Sequence, residues 1–263
     1  MAAQPIRFDD GAAYEQMMGV WSRLVGEIFL DWLAPPPGLR WLDVGCGNGA
    51  FTEMLATRCA PAELQGIDPS AGQLAFARSR PALHQAHFEQ GDALALPHPA
   101  DRFDAAIMAL VLVFLPEPAR GVAEMARVVG PGGLVGAYMW DMTGGGFPLD
   151  PIIDALRGMG APPPRPPQVE ASRAEMLQRM WKEAGLEQVE TRTIEVRRSF
   201  ADFDEFWRIK LTAPSLGPVV AAMDASDVEE LKRRVRQRLP ADSDGRIAYD
   251  ARANAIKGRV PRG

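Results

Sequence analysis

Cysteine is scarce in this chain, and no apolar run is long enough to span a membrane. Only Cys46 and Cys59 occur among 263 residues, which excludes a disulfide framework and a cysteine-based zinc site. The longest apolar run, residues 105–115, is much shorter than the roughly 20 residues that cross a bilayer, and we interpret it as a buried strand. These absences predict a protein of a reducing compartment, the cytoplasm, without a membrane contact.

The chain also lacks an excess of positive charge. Its formal net charge of −5 argues against a dominant attraction to nucleic acid and favours a small-molecule partner. A basic run at residues 232–238 follows the spacing of an amphipathic helix, whose solvent-facing side needs charge. The first ten residues hold two acids and no apolar segment, so they match neither a secretion signal nor a transit peptide. His84 and His87 lack further ligands, and we expect no metal.

Strand-like and helix-like segments alternate along the first half of the chain, a pattern typical of parallel βαβ units. After Trp140 the sequence becomes irregular, with a glycine run and a proline-rich stretch, and such a segment is suited to lie over a site. Helical patterns then return between residues 203 and 239. The predicted strands are residues 40–44, 63–67, 87–90, 105–109, 134–140, 187–196 and 246–260.

Three glycines at alternate positions, Gly45, Gly47 and Gly49, follow the first strand. A turn without Cβ atoms lets the backbone approach a ligand closely. Dinucleotide enzymes use the spacing G-x-G-x-x-G, which places a pyrophosphate at a helix N-terminus. Here Asp43 stands two residues before the first glycine, where a carboxylate suits an ammonium group and would repel a phosphate. A plain glycine-rich turn with a capping acid remains the alternative.

Acids also follow the second and third predicted strands. Asp68 can accept hydrogen bonds from two ribose hydroxyl groups, although a turn acid ahead of Pro69 is the alternative interpretation. Ser70 and Gln73 form a capping-box pattern that opens the next helix. Asp92 ends the third strand, where a short polar turn is the alternative.

Taken together, these motifs resemble the class I S-adenosylmethionine-dependent methyltransferases. The segments 102–110, 112–118 and 128–133 extend the resemblance, which is closest to small-molecule enzymes of the ubiquinone and menaquinone biosynthesis type. It covers about residues 14–197, with its strong motifs confined to 40–133. The resemblance implies an α/β, Rossmann-like three-layer sandwich. Its seven-stranded sheet would be mostly parallel, with an antiparallel last strand and extra helices between strands six and seven.

The resemblance further implies methyl transfer from S-adenosyl-L-methionine to a small molecule by in-line displacement. Asp68 would hold the ribose, Asp92 the adenine amino group, and the backbone N–H of Ala93 an adenine ring nitrogen. The end of the fourth strand would lie beside the methyl group. The predicted cofactor-binding residues are Trp21, Ser22, Asp43, Gly45, Cys46, Gly47, Gly49, Asp68, Pro69, Ser70, Gln73, Gly91, Asp92, Ala93, Met108, Ala109 and Leu110.

Four regions follow from this interpretation. Residues 1–39 would form a helical lid, 40–200 the cofactor-binding core, 201–245 a helical cap over the substrate, and 246–263 the last strand of the core sheet. A monomer and a homodimer both remain open.

A general base is not evident from the sequence. Many relatives place a histidine after the fourth strand, where Val113 and Phe114 stand here. Methyl transfer can proceed by holding the nucleophile in line and excluding water. Tyr14, His98 and Asp141 are the candidate helpers, each with an alternative role in a helix face, at the surface or in a cap. Two other functions therefore stay open: a non-catalytic cofactor-binding protein and, disfavoured by the glycine spacing, a nicotinamide-dependent oxidoreductase.

Overall fold

A computed structural model describes residues 15–263 and shows a seven-stranded sheet. The strand order is β3-β2-β1-β4-β5-β7-β6. Strands β1 to β5 pair in parallel, and β7 runs antiparallel to both of its neighbours. The predicted fold, including the antiparallel last strand, is therefore confirmed. The strands are β1 Arg40–Val44, β2 Glu63–Asp68, β3 His87–Gln90, β4 Phe103–Ala109, β5 Val129–Trp140, β6 Glu187–Phe200 and β7 Ile247–Arg259.

Helices cover the sheet and fill the gaps between its strands. A π-helical turn, Glu15–Gly19, leads directly into the first α-helix. The α-helices are α1 Val20–Leu33, α2 Ala50–Arg58, α3 Ala71–Ser79, α4 Pro118–Val128, α5 Asp150–Gly158, α6 Ala174–Glu183, α7 Phe203–Lys210, α8 Gly217–Ala221 and α9 Ala225–Arg238. Short 3₁₀ turns occur at Pro81–Leu83, Leu112–Phe114 and Val169–Ser172. In the part of the chain from residue 15 onward, no helix combines the length and apolarity needed to cross a bilayer.

Apolar periodicity explains how the helices dock. Helix α4 buries Val122, Met125 and Val128, which lie on one face because they are three residues apart. Helix α4 packs on α6, and α1 packs on α2. Trp181 of α6 is fully buried, and its indole N–H donates to the carbonyl of Val135 in β5 at 3.1 Å. Such contacts fix the helices on the sheet.

The prediction that the segment after Trp140 is irregular is wrong in one respect, because that segment contains helix α5. The helix begins at Asp150 with Pro151 in its first turn, where a missing N–H costs nothing. Ile152, Ala155 and Leu156 form its buried face. Prolines around this short helix make its apolar periodicity hard to recognise in the sequence. In the folded protein, α9 packs on α5 and stabilises the helix.

The chain order reverses between β1 and β4, the two central strands. Strands β2 and β3 follow β1 on one side, whereas β4 and β5 lie on the other. Ligands of open α/β sheets bind at such a switch point, beyond the carboxyl ends of the strands. The glycine loop after β1 lies at this point.

Candidate functional site

A cavity of about 510 Å³ opens at the carboxyl ends of the central strands. Its volume falls within the range of about 300–1,000 Å³ typical of small-molecule sites. We call it the switch-point cavity. Its lining residues are Ser22, Asp43, Gly45, Cys46, Gly47, Asn48, Ala50, Phe51, Ile67, Asp68, Pro69, Ser70, Gln73, Gly91, Asp92, Ala93, Ala109, Leu110, Val111, Phe114 and Leu115.

The glycine loop forms one wall of this cavity. Gly45 and Gly47 have φ angles of +74° and +53°, in the left-handed region that favours glycine. A Cβ atom at Gly45 would lie 2.5 Å from Cγ2 of Val111, whereas a Cβ at Gly47 would meet no atom within 4 Å. The backbone of Gly47 therefore faces open space, and a ligand can approach it closely.

Asp43 is a fully buried carboxylate at the base of the loop. The hydroxyl of Thr52 donates to its Oδ2 at 2.7 Å. Oδ1 is buried and has no hydrogen-bond partner among the described residues. Burial raises the pKa of Asp43 to about 7, the Thr52 hydrogen bond opposes the rise, and the charge of Asp68 adds to it. A buried acceptor without a partner fits a ligand that brings a hydrogen-bond donor or a positive charge.

Asp68 ties the end of β2 to the loop. Its Oδ2 accepts from the backbone N–H of Gly47 at 2.9 Å, and its Oδ1 accepts from the N–H of Ser70 at 2.8 Å. Burial raises the pKa of Asp68, and these two N–H groups counteract the rise. Each carboxylate oxygen can accept a further hydrogen bond, so Asp68 can hold the loop and still bind hydroxyl groups in the cavity.

The capping pattern at Ser70 is present in the structure. The N–H of Gln73 donates to the Ser70 hydroxyl at 3.3 Å, which starts helix α3 beside the cavity. Across the cavity, Asp92 accepts from the N–H of Leu94 at 2.9 Å. Asp92 is exposed and Ala93 is buried, so this turn presents one polar and one apolar group to the same space.

Most of the predicted cofactor-binding residues line the switch-point cavity, but Trp21, Gly49 and Met108 do not. Trp21 is fully buried, and the Nζ of buried Lys210 lies 5.2 Å from its ring centroid. A Cβ atom at Gly49 would meet the side chains of Leu83 and Ala77. Gly49 thus allows α2 to pack, and Met108 is buried in β4.

Sequence reasoning missed part of the lining because these residues carry no motif. Six of them are apolar and come from the start of α2, from β2 and from the segment after β4: Ala50, Phe51, Ile67, Val111, Phe114 and Leu115. Asn48, the remaining polar one, lies between two loop glycines, so its position was a usable indication. Its amide donates to Glu15 at 3.0 Å, which links the start of the described chain to the glycine loop.

Of the candidate helpers, His98 and Asp141 do not line the switch-point cavity. Tyr14 lies outside the described residues. His98 packs its ring edge against Phe103, at 5.0 Å between centroids, and its carbonyl accepts from Arg127. Asp141 pairs with Arg252 at 2.7 Å and accepts from the N–H of Gly144, which closes a turn. His98 and Asp141 thus make structural contacts.

A second cavity adjoins the first, and we call it the apolar cavity. The two share Leu110 and Phe114 in their walls. Leu110 has a φ of +65°, an uncommon value for a residue with a side chain. Backbone strain of this kind costs roughly 1–3 kcal/mol and clusters at functional sites. The strained leucine thus marks the junction between the cavities.

The wall of the apolar cavity is rich in methionine and aromatic side chains. Met17, Met18, Met139, Met142, Phe147 and Trp140 all contribute to it. Its charged lining residues are Asp150 and Arg157, both from α5, and Arg165 from the proline-rich stretch. Sequence reasoning missed Asp150 and Arg157 because α5 was not predicted, and it missed Arg165 because the proline-rich stretch carries no motif.

The strand order and a ligand cavity at the switch point define a Rossmann-like α/β protein. Residues 42–133 match the family described as "Methyltransferase domain". Over residues 42–133 the chain is therefore similar to a methyltransferase domain, in agreement with the class I resemblance that the sequence motifs predicted.

Curated relatives agree with the family match over part of their length. The chain is 38% identical over 96 residues to 2-methyl-6-phytyl-1,4-hydroquinone methyltransferase 2 of Oryza sativa, which is 36% of this chain and 28% of that protein. It is 34% identical over 116 residues to 2-phytyl-1,4-naphtoquinone methyltransferase of Thermosynechococcus vestitus, or 43% of this chain and 50% of the relative. The chain thus spans at most half of the length of these relatives.

The fold also matches solved structures. The phosphoethanolamine N-methyltransferase 2 of Haemonchus contortus, solved with S-adenosyl-L-methionine, superposes with a TM-score of 0.60 at 18% identity. The match covers 97% of this chain and 57% of that one. At this identity the likeness supports the fold alone.

Proposed function

We propose that this protein transfers a methyl group from S-adenosyl-L-methionine to a small-molecule acceptor. One observation carries the proposal: the left-handed glycine loop lies over a buried oxygen of Asp43 that has no hydrogen-bond partner among residues 15–263. The cavity that holds this oxygen adjoins a second, apolar cavity. The methyltransferase domain of residues 42–133 supplies the first cavity. The second cavity offers a place for the acceptor.

The residues of the switch-point cavity fit S-adenosyl-L-methionine. Asp43 would meet the ammonium group of the ligand, directly or through water, because its buried Oδ1 has no hydrogen-bond donor among residues 15–263. Asp68 would accept from the ribose hydroxyl groups, and Asp92 with Ala93 would recognise adenine. When bound, the cofactor supplies a methyl group on a cationic sulfur. The chain itself needs to hold the acceptor in line and keep water out.

The apolar cavity fits the acceptor. It meets the switch-point cavity at Leu110 and Phe114, so a molecule there lies next to the cofactor site. Residues 213–215, which follow α7, also line it. We propose that residues 1–39, of which 15–39 are described, act as a lid and that residues 201–245 act as a cap over the substrate. Residues 40–200 and 246–263 would form the core.

Three further predictions complete the proposal. The protein would act in the cytoplasm, without nucleic acid, as a monomer or a homodimer. The negative net charge supports a small-molecule partner. The scarcity of cysteine in the sequence supports a reducing compartment. Among residues 15–263, no group of three or more His, Cys, Asp or Glu side chains is arranged to hold a metal ion.

A binding comparison tests the proposal against its rivals. Calorimetric titration with S-adenosylhomocysteine and with NADH should show binding of the first ligand alone. Transfer of a labelled methyl group to a panel of small molecules should then yield a product. NADH binding without S-adenosylhomocysteine binding would favour an oxidoreductase. Binding of S-adenosylhomocysteine without any product would favour a non-catalytic protein.

A further inference from the structure

Asp150 is the carboxylate that faces the apolar cavity. It is the first residue of α5, and its Oδ2 accepts from the backbone N–H of Phe147 at 2.9 Å. Its Oδ1 has no hydrogen-bond partner among residues 15–263, and the side chain is partly buried. One oxygen is therefore held by the turn that precedes α5, and the other is free for a ligand.

Burial makes this carboxylate a better proton acceptor than a surface acid. Desolvation raises the pKa of Asp150 to about 6, and nearby Asp154 adds to the rise. The Phe147 N–H, Arg157 and Arg165 act in the opposite direction. Asp150 is thus mostly ionised at neutral pH and close to the pKa that suits a general base.

The charges around the apolar cavity discriminate between acceptor types. Arg157 and Arg165 line it together with Asp150, and Arg157 also pairs with Asp154 at 2.7 Å, so two guanidinium groups balance two carboxylates. An ammonium group entering the cavity would therefore lose its water without a net gain of opposite charge. A ligand carboxylate would lose its water in the same way and would also meet the negative charge of Asp150. A hydroxyl group avoids both penalties, because it can donate to Oδ1, and the arginines favour negative charge on its oxygen.

The methionines of the wall also constrain the acceptor. The apolar cavity encloses about 70 Å³, less than the roughly 150 Å³ that accommodates benzene. Entry of even a one-ring molecule therefore requires side chains to move. Met17, Met18, Met139 and Met142 line the cavity, and methionine adapts to different shapes because it is unbranched and flexible. A compact apolar acceptor fits this wall.

We propose that the acceptor is a compact apolar molecule with an acidic hydroxyl group, a phenol or an enol, and that Asp150 accepts its proton. The inference rests on the proposed function. The acceptor oxygen forms a bond to the methyl carbon as the bond between that carbon and sulfur breaks. The hydroxyl proton passes to Oδ1 of Asp150, which releases it to solvent after the product leaves.

One-ring probes of equal size test the proposal. Protein saturated with S-adenosylhomocysteine is titrated with 4-methylphenol, benzylamine and benzoate by ligand-observed NMR at pH 7.5. We expect 4-methylphenol to bind at least about fivefold more tightly than either charged probe. Asp150→Asn keeps the shape of the side chain and should weaken the binding of 4-methylphenol by at least about fivefold. Asp250→Asn removes one negative charge from a side chain that is 63% exposed and lines neither cavity, and it should change nothing.

The pH dependence gives an independent readout on the unaltered protein. Lowering the pH from 7.5 to 5 protonates Asp150 and also Asp43 of the switch-point cavity, so S-adenosylhomocysteine is kept at a saturating concentration at each pH. Under these conditions 4-methylphenol binding should weaken in the wild type and stay level in Asp150→Asn. Methyl transfer to 4-methylphenol should show the same dependence in kcat. Tightest binding of benzylamine, no binding of 4-methylphenol, or equal affinity in Asp150→Asn would overturn the inference. Loss of S-adenosylhomocysteine binding would instead overturn the proposed function.

Discussion

The two cavities differ in how the chain builds them. The switch-point cavity is lined mainly by residues that directly follow β1, β2, β3 and β4, and its polar groups are backbone N–H groups and carboxylates. The apolar cavity takes residues from 17–18, 110–114, 139–166 and 213–215. Fixed polar groups suit one invariant ligand, whereas an adaptable apolar wall suits an acceptor that differs between proteins. Four predictions test whether the cavities are separable in this way.

The largest effect is expected at Gly45. In Gly45→Ala the new Cβ would lie 2.5 Å from Val111 at a φ of +74°. We expect the free energy of unfolding to fall by about 2–4 kcal/mol, from left-handed strain and overpacking together. S-adenosylhomocysteine affinity should fall as well. Urea denaturation and calorimetry measure both quantities.

Val111 provides the control for this effect. Adding Val111→Ala should restore part of the stability of Gly45→Ala, because it removes the two closest atoms. Val111→Ala should not restore the stability of Gly47→Ala, because the new Cβ at Gly47 meets no atom within 4 Å. Equal rescue of both variants would show that the clash with Val111 is not the cause.

Asp68 tests the polar side of the comparison. We expect Asp68→Ala to weaken S-adenosylhomocysteine binding by at least about 1.5 kcal/mol, the scale of losing charge-assisted hydrogen bonds. Calorimetry gives the affinity, and Asp250→Ala, at an exposed side chain that lines neither cavity, serves as the control. Unchanged affinity in Asp68→Ala would refute the assignment of this carboxylate to the ligand.

Asp43 should lower the stability of the ligand-free protein above neutral pH and raise its affinity for S-adenosylhomocysteine. Its pKa in the folded protein is about 7, above its ordinary value of 3.8. Between these values the unfolded chain loses a proton that the folded protein keeps. The stabilising contribution of Asp43 is thus fully present below about pH 4 and is lost as pH rises through 7.

Asp43→Asn removes the free-energy cost of burying an ionised carboxylate at this position. Without ligand, the variant should be more stable than the wild type at pH 8 by about 1 kcal/mol or more, or roughly 2–4 °C in Tm. Its S-adenosylhomocysteine affinity should nevertheless be lower. Thermal unfolding at pH 5 and pH 8 measures the stability, and the advantage should shrink at the lower pH. An advantage that does not change with pH would contradict the assigned pKa.

The smallest effect on S-adenosylhomocysteine affinity is expected at Met142, which lines the apolar cavity but not the switch-point cavity. Met142→Ala should change S-adenosylhomocysteine affinity by less than about twofold, or roughly 0.4 kcal/mol. Leu110→Ala should affect both ligands, because Leu110 lines both cavities. A large loss of S-adenosylhomocysteine affinity in Met142→Ala would show that the two cavities act as one.

The sequence was informative where spacing determines geometry. Gly45, Gly47 and Asp68 were identified because a strand followed by a glycine turn has few conformations. Trp21 and Met108 also lay in matching segments, yet their side chains point into the core. A motif locates a stretch of backbone, and packing decides which side chains of that stretch reach the cavity.

The sequence by itself determined the α/β order of elements, the sheet, and the carboxylates at its central strand ends. These features depend on local periodicity and on backbone turns. Only the tertiary structure decided the acceptor side: helix α5, the strain at Leu110 and the free oxygen of Asp150. Such features depend on contacts between segments far apart in the chain, and no local pattern records them.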